Sequence, residues 1–348
     1  MKAFPGKKGG LVVLLVLAGA LAGLVAMSPL AGRGGSLLLS LLFGIAVVEG
    51  CIAAAAAGTL VNARWVASVK RELFAVSPLL LLLAFFLLLL VPFADAYPWA
   101  GRPGIWLRKD FFFGRNLVLL LLAYLAARRF EAADDGNAGE KQVRAAVYLL
   151  VFVASQTLAA FDLVMSLEYP WYSTLFGGYF FIEAVYGGFA VAALLSVLFH
   201  GTAPAPSDPE ARSDLKDLSI LMFGFSLMWA GLFFAQYLTI WYGNLPEEVS
   251  FIAKRVSASP FREISVAVLV LLFFLPFPLL LSTRAKTHPY AVTAASVSIL
   301  AGILAERYLF LAPAVRLGLG ASAIDVFCLL LPFAFAARRG ARGISLEG

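Results

Sequence analysis

Residues 161–181 read FDLVMSLEYPWYSTLFGGYFF. An apolar helical pattern carries one acid at Asp162, breaks at Glu168-Tyr169-Pro170-Trp171, and restarts through Ser173-Thr174. Ser and Thr are favoured helix N-caps, so the stretch reads as a tight hairpin between two helices, with Ser173 or Thr174 capping the second. What a carboxylate and a crowd of aromatics do in such a hairpin depends on the solvent around it.

That solvent is lipid. Hydrophobic residues make up 61% of the 348 and charged residues 14%, where a soluble domain carries about 25% charged. Mean hydropathy is +0.90. Apolar stretches of roughly 20 residues, the length that crosses a hydrocarbon core, recur along the whole chain. The alternating segments of about 10 residues that mark a membrane barrel are absent. The fold class expected is an all-α polytopic membrane protein forming a single domain over 1–348.

Ten spans are expected, at about 11–30, 36–61, 73–93, 111–129, 144–167, 174–199, 217–242, 262–283, 290–312 and 318–337. The first follows Lys2, Lys7 and Lys8, as a signal peptide would, but its apolar run is longer than an h-region of about 7–15 residues and reads as a retained helix. Two polar linkers, 131–137 and 201–208, are too short to hold a soluble domain.

The excess of Lys and Arg over Asp and Glu, 27 against 21, reads as topology rather than as a nucleic-acid surface. Seventeen of the 27, among them Arg64, Lys70, Arg71, Arg128, Arg129, Arg284 and Lys286, fall at the termini and in the even-to-odd loops. The positive-inside rule then puts both termini in the cytoplasm. The 161–181 hairpin and a second polar cluster at 241–248 face outward together.

Two cysteines (Cys51, Cys328) and two histidines (His200, His288) fall short of the four thiolates of an iron–sulfur cluster and of a paired-His haem site. His200 reads as an interfacial residue. Any redox metal working with this chain is expected on another one.

Ionisable groups at membrane depth are expensive and are functional candidates by default. Glu183 lies nine residues past Thr174, near the middle of its span. Tyr179 and Tyr186, at i−4 and i+3, share its helical face, so their hydroxyls are expected to reach its carboxyl. Asp162 sits near the outer end of the preceding span, with Ser155 on its face. Glu49 falls in the inner half of the second span and Asp325 in the outer half of the last. The Glu306-Arg307 pair lies near the outer end of the ninth. A carboxyl in this setting suits a proton relay or the deprotonation of a quinol, and equally a buried acid paired for packing. Trp171, Tyr172, Trp241 and Tyr242 suit interfacial belts, and Gly177, Gly178, Gly187 and Gly188 suit close helix contact. From the residues alone, a transporter and a quinone-linked proton-handling subunit remain open.

The pattern D-x-x-M-S-L-x-x-x-W-Y-S-T-L-F-G-x-Y from Asp162 to Tyr179 resembles the F-type membrane subunit of bacterial alternative complex III, a quinol:acceptor oxidoreductase. A second resembling segment runs from Trp229-Ala230 through FAQYLTIWYGNLPEE, residues 234–248. Weaker echoes occur at 65–72, at Asp110-Phe111-Phe112-Phe113-Gly114-Arg115 and at 276–284. The resemblance implies an NrfD-like fold in the bacterial inner membrane, with two four-helix bundles (spans 2–5 and 6–9) flanked by the first and last helices. It implies a C-type NrfD-like sister subunit, a periplasmic iron–sulfur subunit, haem c subunits and small membrane subunits as partners, with lipids and menaquinone or ubiquinone nearby. It also implies a proton path, here through Asp162, Glu183, Glu49, Ser155, Tyr179, Tyr186 and Asp325. Peripheral subunits would meet Glu168, Trp171, Tyr172, Trp241, Asn244, Glu247 and Glu248. The chain departs from the family where Asp-Pro-His-Trp is common and Glu168-Tyr169-Pro170-Trp171 stands here, and at Ala235, where Ser is common. The alternatives are a quinol-oxidising NrfD-type subunit of another molybdopterin or iron–sulfur enzyme, a secondary transporter, and a scaffold.

Overall fold

The computed structural model describes residues 33–101, 104–133, 137–169, 171–200 and 209–342. The expected first helix, 11–30, and the 201–208 linker lie outside them. Every regular element among the described residues is helical. Among the described residues, seven helices are long and apolar enough to cross a membrane, or eight if one bent pair counts as a span.

Helix α1 (Arg33–Leu60) is apolar on every side. A helix of that kind belongs in a core, and the apolar window of α1 is entirely buried. The third expected span is broken: α2 (Trp65–Ala75) and α3 (Leu79–Leu89) meet at 42°. Pro78 stands at the junction and contributes no N–H to a continuous ladder. Helix α4 (Lys109–Ala132) follows a loop. Helix α5 (Ala138–Ala159) begins on an Asn137 cap, whose side chain accepts the Glu140 N–H at 2.8 Å. It runs into a π turn over Ala160–Val164 and a short 3₁₀ segment over Met165–Glu168. Helices α1, α3, α4 and α5 pack together as one group.

The second group starts with α6 (Leu175–His200) and α7 (Pro209–Gly243), which pack side by side. At about 1.5 Å per residue, the 35 residues of α7 span about 50 Å and extend past a bilayer core of about 30 Å. A short helix, α8 (Pro246–Val256), then precedes α9 (Phe261–Leu269). Its ends are marked in sequence by Pro246, Glu247 and Glu248 at the start and Lys254 and Arg255 at the finish. Those signs suit the helix dipole, yet the segment reads in sequence only as a polar cluster. Helix α9 passes through a π turn at Val270–Phe274 into α10 (Pro276–Leu279), and α11 (Thr283–Lys286) leads to α12 (Pro289–Leu311). Helix α12 closes the group against α6 and α9.

The last helix, α13 (Leu319–Arg342), packs on α1 and α2. Its position matches the expected tenth span: residues 319–336 carry a single charge, Asp325, and Arg338, Arg339 and Arg342 follow at the end of the helix.

The two groups meet along α1 and α6. A Cβ on Gly50 would lie 2.0 Å from the Ala184 carbonyl oxygen, and one on Gly188 would lie 2.0 Å from the Gly50 oxygen. Only glycine permits backbones this close. Glu49 and Glu183 each stand one residue from this crossing, so the seam sets the two acids at one level of the bundle, facing opposite ways.

Candidate functional site: three buried carboxyl clusters

Asp162 sits in the π turn, and that turn aims its carboxyl at α4 and the loop before it. Four donors converge on it: Trp106 Nε1 at 3.0 Å, Arg115 Nε at 2.9 Å and Nη2 at 2.7 Å, and Asn116 Nδ2 at 2.9 Å. The Arg115 guanidinium stacks over the Trp106 ring at 3.8 Å and over Phe111 at 4.8 Å. A carboxylate forked by Arg and braced by two further donors is a fixed anion rather than a side chain free to swing. Ser155 was expected near Asp162 and serves Glu49 instead, because its face of α5 meets α1. Arg115, Asn116 and Trp106 were not singled out in sequence. The Asp110-to-Arg115 echo reaches Arg115 alone of the three.

Glu49, fully buried, is held by neutral groups. Ser155 Oγ donates to Oε1 at 2.7 Å and Gln156 Nε2 to Oε2 at 2.9 Å, while the Tyr148 hydroxyl donates to the Glu49 carbonyl at 3.0 Å. A small space of about 10 Å³ touches both Ser155 and Asn116 along a wall of leucines. A second, also of about 10 Å³, touches Asp162, Tyr97 and Trp99. Leu163 lines both. A single water needs about 10–15 Å³, so each space holds one water at most and does not fit a quinone ring with its tail.

Glu183 finds its partner on α12, and the expected Tyr contacts are not made. Arg307 Nη2 lies 2.7 Å from Glu183 Oε2, both side chains fully buried. The contact is an ion pair whose angles fall short of a hydrogen bond. The Tyr179 hydroxyl donates to Glu306 Oε1, and Tyr186 donates to the Leu272 carbonyl at 3.1 Å, a carbonyl within the second π turn. Both tyrosines lie on the Glu183 side of α6, but their hydroxyls are taken by Glu306 of α12 and by Leu272 of the second π turn. Arg307 also stacks on Phe180 at 3.8 Å. An arginine in an apolar span demands a partner; the sequence sets Arg307 beside Glu306, and the bundle supplies Glu183.

At the hairpin, Glu168 and Trp171 do not face outward as a docking surface. Both are buried and are used within the chain. Glu168 takes Lys254 Nζ at 2.7 Å and Arg255 Nη2 at 3.0 Å. Trp171 stacks on Phe251 with centroids 3.8 Å apart. Burial pulls the Arg255 guanidinium down to about 10 against the opposing pull of Glu168, which leaves it charged at neutral pH. Helix α8 thus lies over the hairpin with an apolar side inward. Ser173, expected as a cap, donates to Gln236 Oε1 at 2.6 Å instead. Tyr172, Trp241 and Glu247 are exposed and Glu248 is half-buried. Asn244, also exposed, has φ 48° and ends α7 in the left-handed conformation that Asn tolerates. Asp325 is buried on α13, and the contacts of the three clusters do not include it. Among the described residues no group of three or more His, Cys, Asp or Glu could hold a metal.

A multi-pass helical membrane protein with carboxyl groups sealed inside its bundle is the class this fold and site define. No protein-family model matches the chain, and no curated protein matches it.

Proposed function

We propose that this chain is a membrane subunit of an alternative complex III-like quinol oxidoreductase in an electron-transport chain of the bacterial inner membrane, and that it handles protons rather than electrons. The observation that carries the proton role is the set of buried carboxyls, two of them flanking one helix crossing. Glu49 among neutral donors, and Glu183 with Glu306, are the groups suited to take up and release protons. Asp162, clamped by Arg115, serves as an ionic plug at the hairpin end. A single water in the small space between Asn116 and Ser155 would extend hydrogen bonding from the plug toward Glu49.

The oxidoreductase assignment rests on the two resembling segments, 162–179 and 229–248. The sister subunit, the iron–sulfur and haem c subunits and a quinone remain part of that proposal, with quinol chemistry placed outside these cavities. Exposed Tyr172, Trp241, Asn244 and Glu247 are the groups left for docking peripheral subunits. A secondary transporter is the second reading, favoured by the bent α2–α3 span and the π–proline break before α10, since broken spans are a transporter trait.

The test is purification of the complex with its co-purifying subunits, followed by reconstitution in liposomes. Glu183→Gln is expected to assemble yet slow coupled proton movement by about 100-fold or more, the range for losing a proton-transfer group. Unchanged proton movement would sink the proton role. Solute uptake by the chain alone would favour the transporter.

A further inference from the structure

Glu183, Glu306 and Arg307 lie in the second group of helices at 0%, 2% and 0% exposure. Fully ionised, they would bury two negative charges against one positive. The charged groups acting on the two acids are each other and Arg307. Tyr179 is the other titratable neighbour, and from α1 the nearby acid Glu49 faces away into α5. An uncompensated charge in such a place is strongly unfavourable.

The hydrogen bonds fail to balance in the same way. As carboxylates, Glu183 Oε1 and Glu306 Oε2 lack a donor, yet the two carboxyl groups are neighbours: Tyr179, one turn from Glu183 on α6, bonds Glu306, and Arg307, next to Glu306 on α12, contacts Glu183, so each acid acts directly on the other. Ionised carboxylates only accept, whereas a protonated one also donates. One proton between them corrects the charge and the bonding together.

We infer that Glu183 and Glu306 form a proton-sharing carboxyl pair in which Glu306 carries the proton and Glu183 is the anion paired with Arg307. The placement follows from the partners. Arg307 contacts Glu183 Oε2 at 2.7 Å, so the negative charge belongs there. Tyr179 donates to Glu306 Oε1, which acts as the carbonyl oxygen and leaves Oε2 as the hydroxyl that donates to Glu183. The cluster is then neutral and every carboxyl oxygen has a role. This deepens the proton-carrying reading by naming the residue that holds the proton.

Infrared difference spectroscopy of the full-length protein in nanodiscs, exchanged from H₂O to D₂O at neutral pH, reads the pair directly. Wild type is expected to show a protonated-carboxyl C=O component that shifts on exchange. Glu306→Gln is expected to remove that component, and Glu49→Gln to leave it. Gln at 306 still accepts from Tyr179 and donates to Glu183, so this variant is expected to melt at the wild-type temperature. Tyr179→Phe, which removes only the hydrogen bond to Glu306, is expected to shift the component's frequency without abolishing it, and it carries the test if Glu306→Gln fails to assemble. Absence of the component in wild type, its survival in Glu306→Gln, or no shift in Tyr179→Phe overturns the shared proton. Loss of the component in Glu306→Gln with wild-type proton movement would uphold the pair and overturn the proton-carrying reading instead.

Discussion

Asp162 shows how far a residue's neighbours can redefine it. An acid near the end of an apolar span reads as a proton carrier, because membrane depth makes any carboxylate expensive. With Arg115, Asn116 and Trp106 around it, the expense is met by a counter-ion and donors. Removing one member of a buried pair strands the other. Asp162→Ala is therefore expected to cost about 3–5 kcal/mol, read as a lower melting temperature in detergent, whereas Asp162→Asn, which keeps the shape and one acceptor, should cost less. Glu49 differs because it has no cation among its partners. The depth of both acids was legible in the sequence. Their partners lie 47 and 106 residues away along the chain, and no local pattern encodes that pairing.

Among the elements, the α1–α6 crossing and α8 lend themselves to direct tests. At the crossing, Gly50→Ala or Gly188→Ala would place a methyl within 2.0 Å of a backbone oxygen. Backbones rather than flexible side chains would have to move, so each is expected to destabilise by about 1–3 kcal/mol. Gly224→Ala and Gly231→Ala, with nothing within 4 Å of the added carbon, should be silent in the same melting assay. Helix α8 is pinned by Phe251 against Trp171 and Phe310. Phe251→Ala is expected to cost about 3–5 kcal/mol and to raise amide hydrogen exchange across 246–256 above that of α9. In sequence, long apolar runs announced the spanning helices closely. The same reading passed over α8, because a short helix lying across a bundle is half polar and resembles a loop. It also ran straight through the 76–78 break, where the chain stays apolar while its direction changes.

For the molecule as a whole, orientation and assembly are the properties to test. By the positive-inside rule, single cysteines at Tyr172 and Trp241 should react with an impermeant maleimide added outside cells, and one at Ser282 only after permeabilisation. The reverse pattern would invert the topology and place the hairpin and α8 in the cytoplasm. The sequence by itself determined the class: 61% hydrophobic residues in runs near bilayer length can satisfy their backbone only as membrane helices. It also located Glu49, Asp162, Glu183, Glu306 and Asp325, since a charge in an apolar run stands out whatever surrounds it, but not the buried Glu72 or the burial of Glu168. What each acid is depends on the fold: Asp162 is a clamped anion, Glu49 an acid among neutral donors, and Glu183 an acid ion-paired with Arg307. A carboxyl's chemistry is set by the charges and donors within a few ångströms, and in a helical bundle those come from helices distant in the chain, brought together by close glycine crossings and turned by π segments.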